Sequence, residues 1–288
     1  MNMKTNPQMH PLVSHSHPHS SAPRPKHGAQ ECAAKTVNIV NGCSHNCLYC
    51  DARSIALRFH RIASPKQWPN EKLKPMLPEI RKYDGRVMFP STHDITPPTL
   101  DLSVAVLRGL LKKENEVLVV SKPHFECVKR LCREFEDFKK QLLFRFTIGS
   151  IRDENTYFWE PGAPPASERL RCLRYAYRHG FRTSVSMEPM LAGIIDATQT
   201  FFRLTPYVTD KIWVGKMNQI ARCIDQRNEI VRRACSWIQA VQSDDRILKL
   251  VDGLKHHPKV EWKDSIRKVI EAHASASRSN GGPSNNHA

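Results

Sequence analysis

No stretch of this 288-residue chain approaches the run of about eighteen apolar residues that a membrane-spanning helix needs, and no secretory signal is recognisable. The expectation is a cytoplasmic protein with no membrane partner. Acidic residues are scarce: 28 Asp and Glu stand against 44 Lys and Arg, a net charge of +16. The tails do not hold this excess, because the segment between them keeps 39 basic against 27 acidic groups. A fold this basic suits a polyanionic partner such as DNA or RNA, or else simply carries a solvated basic surface. A disulfide framework is also lacking, since six of the nine cysteines (Cys32, Cys127, Cys132, Cys172, Cys223, Cys235) are scattered singly along the chain.

The other three cysteines lie within eight residues, in Gly42-Cys43-Ser44-His45-Asn46-Cys47-Leu48-Tyr49-Cys50. The spacing is C-x3-C-x2-C, on a loop that follows the β-prone run Thr36 to Val40, with Gly42 free to turn the backbone ahead of the first thiol. Three thiols on one loop can converge on a metal centre. Structural zinc usually has four protein ligands, and no C-x2-C or H-x3-H pair follows Cys50; His45 is a conceivable fourth ligand, but a strained one. A [4Fe–4S] cluster held by Cys43, Cys47 and Cys50, with one iron left open, fits the spacing better.

Residues 1–35 are rich in Pro, Ser and His (His10, His15, His17, His19, His27) and without periodicity, so a disordered tail is expected there, and again over residues 275–288. Between the tails, strands are expected at Thr36–Val40, Arg86–Phe89, Glu116–Val120, Leu142–Ile148, Arg182–Val185 and Lys211–Val214. Helical patterns fall at Ala52–Arg61, Leu100–Lys113, Phe125–Phe138, Ala166–His179 and Asp196–Arg203. Repeated βα units predict an α/β fold over residues 36–217, a partial (β/α)6 TIM-type barrel. Residues 218–274 read as a C-terminal helical cover: Ile224–Val241, Asp245–Leu254 and Lys263–Ala272.

In such a barrel the chemistry gathers at the C-terminal strand ends. Those ends carry the cysteines, then Ser91-Thr92-His93-Asp94, Ser121-Lys122, Thr147, Glu188, and Lys216-Met217-Asn218. Each has a plainer reading: Asp94 as a turn cap, Lys122 as a surface lysine, Thr147 as an ordinary strand residue. Glu188 is more telling, because a carboxylate after an apolar strand is costly to bury unpaired; Lys216 is a candidate counter-charge, and either can face substrate.

The cysteine spacing, with an aromatic residue before the last cysteine, resembles the radical S-adenosylmethionine (SAM) superfamily. The strand-two end, Ser121-Lys122, Arg145 to Ser150, Phe158 to Pro164 and Met187 to Leu191 resemble the branch that includes spore photoproduct lyase and its DNA repair photolyase relatives, over roughly residues 36 to 218. The resemblance implies SAM on the open iron and reductive cleavage to a 5′-deoxyadenosyl radical. It also implies a small electron donor of the flavodoxin or ferredoxin type. By it, Tyr49, His93, Asp94, Lys122 and Thr147 line SAM, and Glu188, Lys216 and Asn218 are left for catalysis. Two departures stand out: the lyase's hydrogen-donating cysteine is replaced near that place by Ser91, and the superfamily's glycine-rich strand-two motif is absent. Thymine-dimer repair by the lyase's route is therefore not expected. The rival reading is a nucleic-acid-binding protein with a structural zinc or iron–sulfur site.

Overall fold

The computed structural model describes residues 31–279. In chain order its elements are β1 (Lys35–Thr36), β2 (Val40–Asn41), α1 (Asp51–Arg58), β3 (Lys72–Leu73), β4 (Val87–Phe89), α2 (Leu100–Lys112), β5 (Val117–Ser121), α3 (Phe125–Glu134), β6 (Leu142–Thr147) and α4 (Asp153–Trp159). There follow α5 (Ala166–Arg178), β7 (Arg182–Met187), α6 (Ile194–Leu204), β8 (Ile212–Val214), α7 (Ile220–Cys223), α8 (Glu229–Val241), α9 (Asp244–Leu254), β9 (Val260–Trp262) and α10 (Asp264–Ser279).

The main sheet has seven strands, in the order β1-β4-β5-β6-β7-β8-β9, and every neighbouring pair is parallel. Parallel neighbours need crossovers, and helices supply them on one face. The strands alternate accordingly. Val87, Phe89, Val117, Val119, Leu142, Phe144, Phe146, Val185 and Met187 belong to the large core that the helices cover. Met88, Leu118 and Leu143 point the other way and pack with Ala33 inside the curved sheet. Further along β6 and β7 the inner face turns polar, with Arg145 beside Ser184 and Thr147 beside Ser186 in register. Arg145 is buried there, with Nε donating to Ser184 Oγ at 3.0 Å and the guanidinium 4.7 Å from the Trp213 ring centre.

The expected α/β partial barrel is present, with four differences. The barrel has seven strands instead of six, and the sheet stays open, with β1 and β9 as its edges. Two ion pairs bridge these edges: Lys263, just after β9, lies 3.2 Å from Glu31, just before β1, and Arg267 lies 2.8 Å from the same carboxylate. Glu31 therefore belongs to the fold, although the tail was expected to reach residue 35; the His-rich part of that expectation lies outside the described residues.

The first strand is also shorter than expected. Asn38 leaves the ladder because its side chain bonds Ser91 N, Thr92 N and Ser91 Oγ, and Ile39 N donates to His93 Nε2 at 3.1 Å. Val40–Asn41 pairs antiparallel with Lys72–Leu73 instead. The helix expected over Ile224–Val241 is broken: Asn228 Oδ1 accepts from Ile230 N and Val231 N, starting α8 afresh at Glu229. Finally, α10 runs on to Ser279, past the point where a disordered tail was expected; residues beyond it lie outside the described ones.

Phe144 is fully buried between Phe146 and Phe181, with ring centres 5.5 and 5.3 Å away. Phe144→Ala is expected to destabilise the fold by about 3–5 kcal/mol, the cost of truncating a core aromatic. The half-exposed Phe202→Ala is expected to stay within about 0.5 kcal/mol. Urea-unfolding midpoints of the two variants check this.

Candidate active site

The C-terminal strand ends surround a cavity of about 630 Å³. Every sequence-predicted site residue lines it: Cys43, Cys47 and Cys50; Tyr49, His93, Asp94, Lys122 and Thr147; and Glu188, Lys216 and Asn218. What each side chain offers the cavity depends on what already holds it.

The cysteine loop is pinned from several sides. Gly42 has φ +97°, and a Cβ there would sit 2.7 Å from the carbonyl oxygens of both Trp68 and Asn70. Cys43 N donates to Trp68 O at 2.9 Å, Leu48 N to Trp159 O at 2.8 Å, and Gly162 N to His45 O at 3.0 Å. Cys50 caps α1, its sulfur accepting from Arg53 N at 3.4 Å. Burial pushes the thiols up, that of Cys47 to about 12, so they are neutral until a cation draws the protons off.

Among the described residues, Cys43, His45 and Asp94 form a set of potential ligands with donor atoms all within 4.8 Å of one another; the three cysteines do not form such a set. A single tetrahedral zinc, with Zn–S near ~2.3 Å, needs sulfurs about 3.8 Å apart. The wider spread of the thiols fits a multi-iron core better than one zinc ion.

Asp94 is fully engaged by protein. Its Oδ1 accepts from Ser121 Oγ at 2.8 Å and Lys122 N at 2.5 Å, and Oδ2 lies 2.9 Å from His45 Nδ1 and 4.0 Å from Lys122 Nζ. Burial raises its carboxyl, but His45 and Lys122 outweigh that and hold it far below the usual range. The other ring nitrogen of His45 faces His124 Nε2 at 3.0 Å. His93 has both nitrogens in use, Nε2 accepting from Ile39 N and Nδ1 against Asp94 O at 2.9 Å. His93 therefore presents a ring face to the cavity, with its polar atoms turned to the backbone.

Lys122 lies 5.9 Å from the Tyr49 ring centre. Burial lowers its ammonium, but Cys47, Asp94 and Glu160 outweigh burial and hold it above the ordinary lysine range, so it stays charged. The Tyr49 hydroxyl donates to Glu160 Oε1, and Glu160 Oε2 pairs with Arg169 Nη2 at 2.5 Å. Arg169, wholly buried, also donates to Pro164 O at 2.7 Å and Thr147 O at 3.2 Å. Burial raises the Glu160 carboxyl, yet Arg169 and Lys122 bring it below its ordinary value.

On the opposite wall, the counter-charge of Glu188 is Lys263 at 3.3 Å, while Lys216 pairs with Asp244 at 2.8 Å. The expected Glu188–Lys216 pairing is thereby corrected; β9 carries Lys263 into the gap, and sequence reading had placed no strand there. Burial raises the Glu188 carboxyl, with Lys263 acting against it. Glu31, Ser265 and Lys268 join this wall, and sequence reading missed all three.

No family model matches the chain. It is 28% identical over 167 residues to ORF301, an uncharacterized protein of Acidianus two-tailed virus, covering 54% of this chain and 55% of that one. Among solved structures, Streptococcus suis SuiB bound to precursor peptide SuiA aligns with TM-score 0.50 and 8% identity, over 83% of this chain and 51% of that one. A spore photoproduct lyase variant with bound AdoMet and dinucleoside spore photoproduct aligns with TM-score 0.48 and 15% identity, over 79% and 75%. The chain thus spans about half the length of ORF301 and of SuiB.

Glu160→Leu is expected to cost about 3–5 kcal/mol, because it leaves Arg169 charged and buried without its partner. Glu160→Leu combined with Arg169→Met is expected to recover most of that loss, as read from denaturation midpoints of the single and double variants.

At 8% identity the likeness to SuiB speaks for the fold alone, and the fold it supports is the one that the cysteine spacing led us to expect: the chain has the partial-barrel fold of the radical SAM superfamily.

Proposed function

We propose that the protein is a radical SAM enzyme, holding a [4Fe–4S] cluster through Cys43, Cys47 and Cys50. The observation that carries this reading is the convergence of three buried thiols and a charged, buried lysine on one cavity at the C-terminal ends of parallel strands. When bound, cluster and SAM together supply reductive cleavage of the carbon–sulfur bond, giving methionine and a 5′-deoxyadenosyl radical. The chain's own residues bind, orient and exclude water.

Lys122 offers an ammonium to a carboxylate, as the methionyl end of SAM requires. Tyr49, fixed through its hydroxyl by Glu160, presents its ring as an apolar wall at the cysteine loop. Thr147 lies at the end of β6, where Arg169 holds its carbonyl. Asp94 positions Lys122 and His45 without having an oxygen to spare. Glu188, Lys216 and Asn218 line the side of the cavity away from these groups in sequence, and we assign them to substrate. Since a primary carbon radical attacks almost any C–H bond, holding the substrate in place selects the product.

The substrate we favour is a nucleic acid. The support is the net charge of +16 together with Lys216 and Lys268 at the cavity wall. A second reading, a nucleic-acid-binding protein with a structural metal ion, draws on the Cys43–His45–Asp94 set. Against it, both oxygens of Asp94 and both ring nitrogens of His45 already have protein partners.

Anaerobically reconstituted protein is expected to be brown, with absorbance near ~400 nm that bleaches on reduction, and to release 5′-deoxyadenosine from SAM. Cys47→Ala is expected to lose that release while keeping the far-ultraviolet circular dichroism of the parent. Release at the parental rate overturns the ligand assignment, and a colourless zinc protein supports the second reading.

A further inference from the structure

We propose that the cleft behind the cysteine loop is the docking site of a small acidic protein that carries one electron; this rests on the function proposed above. The cleft has a volume of about 530 Å³, and its wall includes the cations Arg53, Arg58, Lys66 and Arg222. Asn46 and Cys223 line both this cleft and the large cavity, so a single layer of side chains separates the two. Arg53 ties the cleft to the loop itself: Nη1 donates to Asn46 Oδ1 at 3.1 Å and Nη2 to Leu48 O at 2.7 Å, on either side of Cys47.

The large cavity is where SAM and substrate belong, so an electron has to arrive through another wall. Electron transfer slows steeply with distance, and this cleft brings a partner up to the back of the thiol loop. The charges also choose the partner. Four cations face one carboxylate in the cleft wall, and that carboxylate, Asp225, is held by Arg227 Nε at 2.9 and 3.0 Å. Arg222 is paired outward with Asp51, while Arg58 and Lys66 are exposed. A basic surface of this kind steers an acidic partner and suits the small, transient contacts of electron-transfer proteins. In the encounter the carrier is oxidised by one electron and the iron–sulfur centre is reduced by one; no bond forms or breaks and no proton moves.

The test uses the full chain and a flavodoxin, with binding read as the anisotropy of the flavin's own fluorescence at low salt. Arg58→Glu combined with Lys66→Glu is expected to weaken binding about tenfold or more, and added salt is expected to shrink that difference. Carbodiimide cross-links between flavodoxin carboxylates and Lys66 are expected in the parent. Lys112→Glu combined with Arg178→Glu changes the net charge equally on the outer helices and is expected to bind as the parent does. Equal weakening in both pairs, cross-links confined to another face, or no binding by the parent overturns the proposal. Cleavage of SAM with dithionite as reductant separates the two ideas: its absence in the parent sinks the function, while the anisotropy still reports on docking.

Discussion

The carboxylate of Asp94 is the constraint on which the rest of the site depends. A buried carboxylate has to be saturated with donors or it neutralises. Here the donors come from three separate parts of the chain: Ser121 Oγ and Lys122 N at the end of β5, and His45 inside the cysteine loop. Satisfying one charge therefore fixes the loop against two strand ends. The same charge keeps the ammonium of Lys122 in place at 4.0 Å. His45, which has the right chemistry to ligate a metal, is instead used as the strut between Asp94 and His124.

A second buried charge holds the other end of the loop. Tyr49, Glu160 and Arg169 form a chain that runs from the cysteine motif to the α4–α5 connection and on to the carbonyl of Thr147. Glycine makes the close approach feasible, since a Cβ on Gly162 would lie 2.3 Å from Ser44 O. Such pairs add little net stability compared with apolar packing, and leaving one member alone is costly. Their use is geometric: two polar anchors, one at each end of the motif, leave the thiols little freedom to move.

The strands were legible because long buried runs such as Leu142–Thr147 are bounded by turns, and the site was legible because polar residues follow those runs. The unreadable parts have physical reasons. Val260–Trp262 is three half-buried residues, too short to show alternation. Glu31 ends a Pro- and His-rich segment whose composition hides one ordered carboxylate. Asp94 and His45 stand 49 positions apart, and nothing local in the sequence pairs them. Lys216 was the nearest cation in sequence to Glu188, but the parallel sheet brings β9 alongside β8 and sets Lys263 there instead.

The two walls of the cavity are built differently, and the difference bears on what each can do. On the wall formed by β4, β5 and β6, the polar groups are saturated by protein, which suits an invariant cofactor that must meet the same geometry at every turnover. The facing wall is carried by the open edge of the sheet, where Glu188, Lys263 and Glu31 form a partly exposed relay and Lys216, Asn218 and Lys268 reach the cavity. An open edge lets the last strand and α10 vary without disturbing the thiol loop. Specificity therefore belongs to the wall that sequence reading gave as a helical cover, and radical generation to the wall that the cysteine motif announces.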